Sequence, residues 1–398
     1  MNSGTIVTNA LNRCLLPVND YAQRDMAYGM LNEIVQTIHS LRDWKFKKAR
    51  FSFQTQTSIE EYALHKLADS IMLNTLRGTN PVRRLKYEPT HDFYHRRPYE
   101  LATGAPYFYR DGEQAGVQVQ PSASSIITFS SSLSNYTTGT ADVLYGRSFA
   151  LISTGVITLD MLGRFFRVGT DDKRYRIIKV YPISAGTYRI DIDAPYEGTT
   201  STSTAYAIGD IGQKVTVLGL LDNDSVYEEE VQLDGATAVV TIQSFASLVR
   251  ISKNDKTAGY ISATSNSGGI TNIVLDPGET QAEFTTIKLY PIPTEQETIE
   301  YEAYTKHPYL YKYNDVPLIP NQFHELLVLD LIYKLKSEFL NQTVPQELIV
   351  RRSELFEALE SWDSNVSDWL ASPETEEQTQ SERRGTNLPN NYGTDDGF

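Results

Sequence analysis

Residues 175–193 read YRIIKVYPISAGTYRIDID. Two runs in this stretch, Tyr175–Tyr181 and Tyr188–Asp193, alternate between apolar and polar side chains, with turn residues between them. A period of two puts successive side chains on opposite faces of a pleated strand, so the stretch predicts two short β-strands. The same texture extends outward from Ser124 to Phe284, a region rich in Ser, Thr, Gly and Val that includes Ile126–Phe129 and Val239–Ile242. Turn residues recur at roughly the ten-residue pitch of a β-sandwich. The run TTSTST, Thr199–Thr204, reads as a loop between strands.

The flanks have the other period. Ala22, Met26, Met30, Ile34 and Ile38 fall four apart, with Ala27, Leu31, Val35 and Leu41 in the adjoining row, which predicts an amphipathic helix between Asp20 and Trp44. A shorter helix from Gly4 to Leu16, stopped by Pro17, would complete a helical hairpin. Near the other end, Pro320 and Asn321 supply a stop and an N-cap before Phe323, Leu327, Leu331, Leu335 and Phe339. Leu326, Val328, Leu329 and Ile332 broaden that face, so this helix is expected to be buried on more than one side. A last helix from about Pro345 carries Leu355, Leu359, Trp362, Val366 and Trp369 at alternating spacings of four and three, which calls for a partner helix. After Ser372 the chain is polar and punctuated by Pro and Gly, an extended tail. The stretch 58–77 supports two readings. Ser58 and Glu61 form a capping box ahead of Leu64, Leu67, Ala68, Ile71 and Met72, whereas Phe51–Phe53 and Ile71–Leu73 read as strands.

The chain has 398 residues, long enough for two or three domains, and 36 Lys and Arg against 50 Asp and Glu give a charge of −14. No run of about eighteen apolar residues occurs, which excludes a helical membrane span, and no membrane partner is expected. No Sec-type signal is readable at the start, so synthesis in a cytoplasm is expected. Cys14 is the only cysteine, which excludes an intrachain disulfide framework and multi-cysteine metal sites. The acidic balance argues against a broad grip on nucleic-acid phosphates but not against a protein that DNA merely passes.

Searches for chemistry return little. His91 and His95, four apart with Asp92 beside them, have zinc-like spacing, but Pro89 and Pro98 around them suit an extended edge better than a helix. His39, His65, His307 and His324 are scattered and read as structural. The acids of Asp222–Glu230, DNDSVYEEE, lack the glycine and the closing acid of a calcium loop and read as a solvated hairpin. Asp191 and Asp193 share one strand face and point to solvent rather than to a cation. The basic clusters Lys45–Lys48 with Arg50, Arg83–Arg84 and Arg96–Arg97 read as solvated faces beside core aromatics in preference to DNA contacts. No nucleophile elbow, P-loop, H-E-x-x-H or dinucleotide fingerprint occurs. No catalytic, cofactor or metal residue is assigned.

Taken in order, several short motifs resemble the head-to-tail adaptor (neck, or portal-connector) proteins of tailed bacteriophages. They are Asn9–Leu11, Leu31–Asn32, Trp44–Phe46, Gly104–Tyr107, Ile287–Pro293, Thr298–Tyr304 and Pro317–Pro320 followed by Phe323 and His324. The resemblance covers residues 1–121 and 284–398 and shifts 68–77 toward strands. Ser124–Phe129, Val215–Gly219, Glu228–Leu233 and Gly259–Ser262 resemble an immunoglobulin-like module of phage virion proteins, with a second small β module nested within it. The fold implied is α+β, a helical bundle built from both chain ends plus a β region, interrupted by an inserted immunoglobulin-like β-sandwich. The domains implied are an adaptor body in two parts, 1–123 and 284–371, an insertion at 124–283 with a module nested at 140–212, and a portal-docking tail at 372–398.

The function implied is a non-enzymatic virion protein of the neck. It would form a homo-oligomeric ring, commonly a dodecamer, join the portal protein to the tail tube, nozzle or other tail proteins, and line the channel through which genomic DNA passes without specific binding. Leu388, Tyr392 and Phe398 would anchor the tail on the portal. Phe323, Leu327, Leu331, Leu335, Phe339, Leu355, Leu359, Trp362 and Trp369 would pack the bundle and subunits. A host-surface or carbohydrate-binding virion protein acting through the β insert is the alternative, and a glycosidase with unrecognised acids is the third reading.

Overall fold

A computed structural model describes residues 1–73, 75–79, 82–89, 102–117, 124–169, 171, 173–265 and 272–369. The chain divides into two units, Met1–Val344 and Pro345–Phe398. In the first unit the period of two dominates, and the strands assemble into five sheets.

The largest sheet has seven strands in the order Ser201–Thr204, Thr140–Val143, Phe149–Ser153, Thr187–Ile192, Tyr175–Ser184, Phe165–Val168 and Tyr206–Gly209. It curls into a half-barrel. Its outermost strands are consecutive in the chain, with only Ala205 between them, so the two ends of the sheet meet along one segment. Tyr136 exchanges backbone hydrogen bonds of 2.8 and 2.9 Å with Ile208 there, and the Tyr206 hydroxyl donates to Thr138 O at 2.6 Å. One face of this single sheet wraps its own core, made of Ile152, Phe166, Ile177, Ile190, Tyr206, Ile208 and their neighbours. Within TTSTST, Ser201–Thr204 is thus a strand and not a loop. Alternation between Ser and Thr is enough for an outermost strand, whose side chains have no core to fill.

A second core lies between the sheet Val226–Asp234, Ile211–Leu220, Ser247–Lys253 and the sheet Val239–Val240, Ile127–Ser131, Ile261–Ser265, Asn272–Leu275. A third lies between the sheet of Lys48–Gln54, Thr298–Thr305, Arg77–Thr79 and Val82–Arg84, to which Ala68–Ile71 adds on Thr298–Thr305, and the sheet of Glu61–Ala63, Phe284–Tyr290, Phe108–Ala115 and Lys86–Tyr87. The capping box at Ser58 and Glu61 is therefore unused. Tyr62, Leu64 and Ala68 find buried places between these sheets, and tertiary burial overrides the local helical period.

Helices α1 (Ser3–Arg13) and α2 (Tyr21–Ser40) start at Asn2 and Asp20, whose side chains accept from Thr5 N at 2.8 Å and Ala22 N at 3.0 Å. Helix α3, His324–Lys334, packs on both and runs into a π-helical turn, Leu335–Phe339. It has no side-chain cap. Asn321 lies in a preceding 3₁₀ turn instead of capping it. Leu326–Leu329, Leu331 and Ile332 are all buried, as the breadth of the apolar face predicts. The second unit contains α4, Gln346–Trp369, which starts directly after Pro345.

The expected architecture is overturned. Strand outweighs helix, and the chain is not a helical bundle carrying an inserted immunoglobulin-like module. The physical reason is continuity of the cores. Val117, Ala282 and Phe284, from the flanking segments, are buried in the sandwich core, and Ala63 packs against it. Backbone bridges Gly116–Arg250 and Ser252–Gln281 stitch the same boundary. Sequence texture marked where strands begin, but it carries no information on which core a strand's face enters.

Truncation at the meeting point of the half-barrel tests this description. Ile208→Ala removes a fully buried side chain and is expected to cost about 2–5 kcal/mol, read as a lower midpoint in urea unfolding.

Candidate functional site

The residues assigned by sequence to packing are dispersed in burial. Phe323, Leu327, Leu331 and Leu335 are buried, whereas Phe339, in the π-helical turn, is 40% exposed. The π turn shifts the helical phase and rotates this last position off the row. On α4, Leu359 is buried and Leu355 and Trp362 are half-buried. The Trp369 side chain and Leu388, Tyr392 and Phe398 lie outside the described residues, as do His91, His95, Arg96 and Arg97.

The motifs at the two ends of the sequence converge. Ala10, Leu11, Leu31, Trp44 and Ile319 are buried. Asn32 exchanges 2.8 Å hydrogen bonds with the Leu310 backbone, its side-chain oxygen accepting from Leu310 N and its nitrogen donating to Leu310 O. His324 is fully buried and satisfied at both nitrogens: Nε2 donates to Ile319 O at 2.7 Å, and the Met1 amine donates to Nδ1 at 2.6 Å. Trp44 Nε1 donates to Ile38 O at 2.6 Å and its ring stacks on Phe46 at 5.6 Å, closing the end of α2.

A cleft opens where α2 meets the half-barrel and Tyr311–Tyr313. Tyr21, Arg24, Asp25, Arg164 and Tyr311 line it. Arg176 donates to the Tyr21 hydroxyl at 3.0 Å and pairs with Asp255, while Lys256 reaches Asp25 at 3.2 Å. Arg24 is buried, lies 5.7 Å from the Tyr28 ring centre and 6.0 Å from that of Tyr313, and donates to Thr8 Oγ1 at 3.3 Å. Burial pushes the Tyr311 hydroxyl well above its ordinary range, and Tyr21 and Asp25 add to the effect. Gly163, at φ +81°, lets the half-barrel approach: a Cβ there would stand 2.5 Å from the Tyr21 ring. These groups tie helix, half-barrel and sandwich together through charge and aromatic contact. The aromatic cluster YLYKY at 309–313 was the sequence signal for this junction, but its partners lie too far along the chain to be read from it.

The other charged motifs also serve as ties. Lys47 is buried and donates to His39 O at 3.1 Å, Arg83 pairs with Glu297 and donates to Pro106 O at 2.8 Å, and Arg77 holds Glu300 at 2.7 Å. Lys47, Arg77 and Arg83 thus meet acids or carbonyls from other segments of the first unit. In DNDSVYEEE, residues 222–225 form the turn between two paired strands, and Glu229 accepts from the backbone of Ile242 at 2.5 Å and Gln243 at 3.0 Å. Asp193 is exposed and Asp191 half-buried, and each makes an exposed hydrogen bond: Asp191 accepts from Arg189 at 2.7 Å, and Asp193 from Arg176 N at 2.8 Å. Among the described residues, no group of three or more His, Cys, Asp or Glu could hold a metal. No described helix is long and apolar enough to cross a membrane.

No known protein family matches the chain, and no curated protein does. Among solved structures, it is faintly similar to VP17, a capsid protein of bacteriophage P23-77, at 10% identity and a TM-score of 0.12, over 49% of this chain and 90% of that one. At that score the likeness carries no structural argument.

At the far end of α2, His39 and His307 meet edge to face at 5.0 Å between ring centres. Neither nitrogen of His39 has a hydrogen-bond partner among the described residues. Burial pushes His39 down to about 3, with His307 and Lys47 adding, and burial pushes His307 down to about 4. Both are therefore held neutral. Their stabilising contribution is whole above the unfolded value of about 6.5 and is lost as pH falls toward the folded values, which costs about 2 kcal/mol for each ring by about pH 5. Urea unfolding is expected to show this loss between about pH 7 and pH 5, with a shallower pH slope for His39→Gln.

Proposed function

We propose that this chain is a structural protein of a tailed-phage virion, a ring-forming connector that joins the portal to the tail and surrounds the path of the DNA. The observation that supports this reading most is the convergence in space of motifs from opposite ends of the sequence. Helices α1 and α2 and the segment Leu310–His324, which carry Asn9–Leu11, Leu31–Asn32 and Pro317–Pro320 with Phe323 and His324, are tied together by the Asn32–Leu310 and Met1–His324 hydrogen bonds. The charged side chains that would otherwise offer a reaction centre or a phosphate grip are spent on joining segments of the chain to one another. The role needs no catalysis, cofactor or metal.

The charge of −14 suits a channel wall that repels phosphates, so DNA slides without adhering. Residues 372–398, poor in apolar side chains apart from Leu388, Tyr392 and Phe398, are the portal-docking segment of this proposal. The other partners are the tail proteins below the ring and further copies of the chain, with twelve the expected number. The site of action is the virion neck, after assembly in the host cytoplasm.

Native mass spectrometry and electron microscopy of the full chain, alone and with its portal, are expected to show closed rings seated on the portal. A chain that stays monomeric in the presence of the portal overturns the proposal. Deleting residues 373–398 is expected to weaken portal binding at least about tenfold, the loss of roughly 1.4 kcal/mol or more. Unchanged binding removes the docking role of the tail.

A further inference from the structure

Lys66, Asp276 and Glu279 form a cluster that none of the ties above uses. Lys66 lies between the strands Glu61–Ala63 and Ala68–Ile71, and Asp276 directly follows the sandwich strand Asn272–Leu275. Their side chains are 8% and 12% exposed, so water is largely excluded from the contact. Lys66 Nζ stands 3.5 Å from Asp276 Oδ1 and pairs with Glu279 Oε2. Both sides are held rigidly. Leu64 N donates to Thr285 O at 2.8 Å and His65 N to the Tyr301 hydroxyl at 2.9 Å. Asp276 N donates to Glu279 Oε2 at 3.1 Å, and Glu279 N to Asp276 O at 3.1 Å.

A second buried lysine helps choose the nucleophile. Lys253 Nζ donates to Thr257 Oγ1 at 2.7 Å, Asp276 O at 2.6 Å and Pro277 O at 2.9 Å, three acceptors for its three protons. It clamps the Asp276–Pro277 backbone and is not free to attack. Lys66 Nζ faces the carboxylates of Asp276 and Glu279. Burial pushes the Asp276 carboxyl up, against the pull of Lys66 and with the push of Glu279. That favours the protonated acid, the form that can lose its hydroxyl.

We propose that Lys66 and Asp276 become joined by an isopeptide bond, formed by the folded chain itself with Glu279 as the proton carrier. Glu279 takes a proton from the Lys66 ammonium, and the free amine adds to Cγ of the protonated Asp276 carboxyl. Glu279 then returns that proton to the departing hydroxyl and takes the second Nζ proton as the amide forms, ending as the neutral acid. The Nζ–Cγ bond forms, the Cγ–OH bond breaks, one water leaves, and nothing is oxidised or reduced. Proximity and exclusion of water favour the step, since Nζ already stands 3.5 Å from an oxygen of the carboxyl it attacks. The product ties the segment entering the body to the end of the sandwich and encloses everything between residues 66 and 276 in one covalent loop.

Intact mass spectrometry of the full chain tests this directly. The wild type is expected to weigh one water less than its sequence, and proteolysis should yield a branched peptide containing both Lys66 and Asp276. Glu279→Gln and Asp276→Ala are each expected at full sequence mass, a result that does not depend on how stably either variant folds. A wild type at full sequence mass overturns the proposal. So does a missing water that maps to a ring closure within a single peptide at Asp276, or a deficit that persists in Asp276→Ala.

Discussion

Two strands late in the sequence, Phe284–Tyr290 and Thr298–Thr305, hold the body together by pairing with segments that do not reach one another. Thr298–Thr305 pairs with Lys48–Gln54 in register from Lys48–Tyr304 to Gln54–Thr298, and also with Ala68–Ile71 and Arg77–Thr79. Phe284–Tyr290 pairs with Glu61–Ala63 and Phe108–Ala115, and its first side chain is buried in the sandwich core. Every one of these ladders spans more than half the chain or closes around the whole β region. Such non-local pairing defers its stabilisation until late in folding, because loop-closure entropy comes first. It also explains why charged residues such as Arg77, Arg83 and Arg50 find their acids on 297–302: the ladder brings the two charge sets face to face.

The parts of this structure that were legible in sequence are those with local causes. Helices α1, α2 and α4 follow from apolar spacing with Asp20 and Pro345 at their starts, and Tyr175–Ser184 and Thr187–Ile192 follow from alternation. The misreadings all concern distant causes. The ambiguity of 58–77 has the same source: its apolar spacing allows a helix, and it is strand at Glu61–Ala63 and Ala68–Ile71 because those segments pair with Phe284–Tyr290 and Thr298–Thr305 in two different sheets. Ser201–Thr204 has no apolar face to announce it and is a strand because Thr140–Val143 offers an unpaired edge. The immunoglobulin-like insertion failed for the same reason, since a module's independence lies in whether its core closes and strand texture does not report that.

The candidate site shows the same division. The single residues were visible: Asn32, Trp44, Phe323 and His324 all stand in motifs. Their partners were not, because Leu310 O, Ile38 O and Ile319 O are backbone atoms with no signature in composition. The junction of Tyr21, Arg24 and Arg176 with Tyr311–Tyr313 joins three distant segments, and the Lys66–Asp276–Glu279 cluster joins two. Buried charge of this kind contributes little net stability compared with a well-packed apolar substitute. What it does contribute is uniqueness of arrangement: each cation accepts one set of partners and leaves a costly unpaired charge in any other.

The closing strand of the half-barrel has a consequence for synthesis. Ser201–Gly209 is the last part of that sheet to leave the ribosome, and both Thr140–Val143 and Phe165–Val168 wait on it. Until it arrives, a nascent chain carries two bare strand edges of opposite ends of one sheet, each a template for a neighbouring chain on the same message. Crowded translation of many copies makes those edges meet. A pause in elongation before residue 201 would lengthen the exposure, and rapid decoding of the Thr- and Ser-rich run would shorten it.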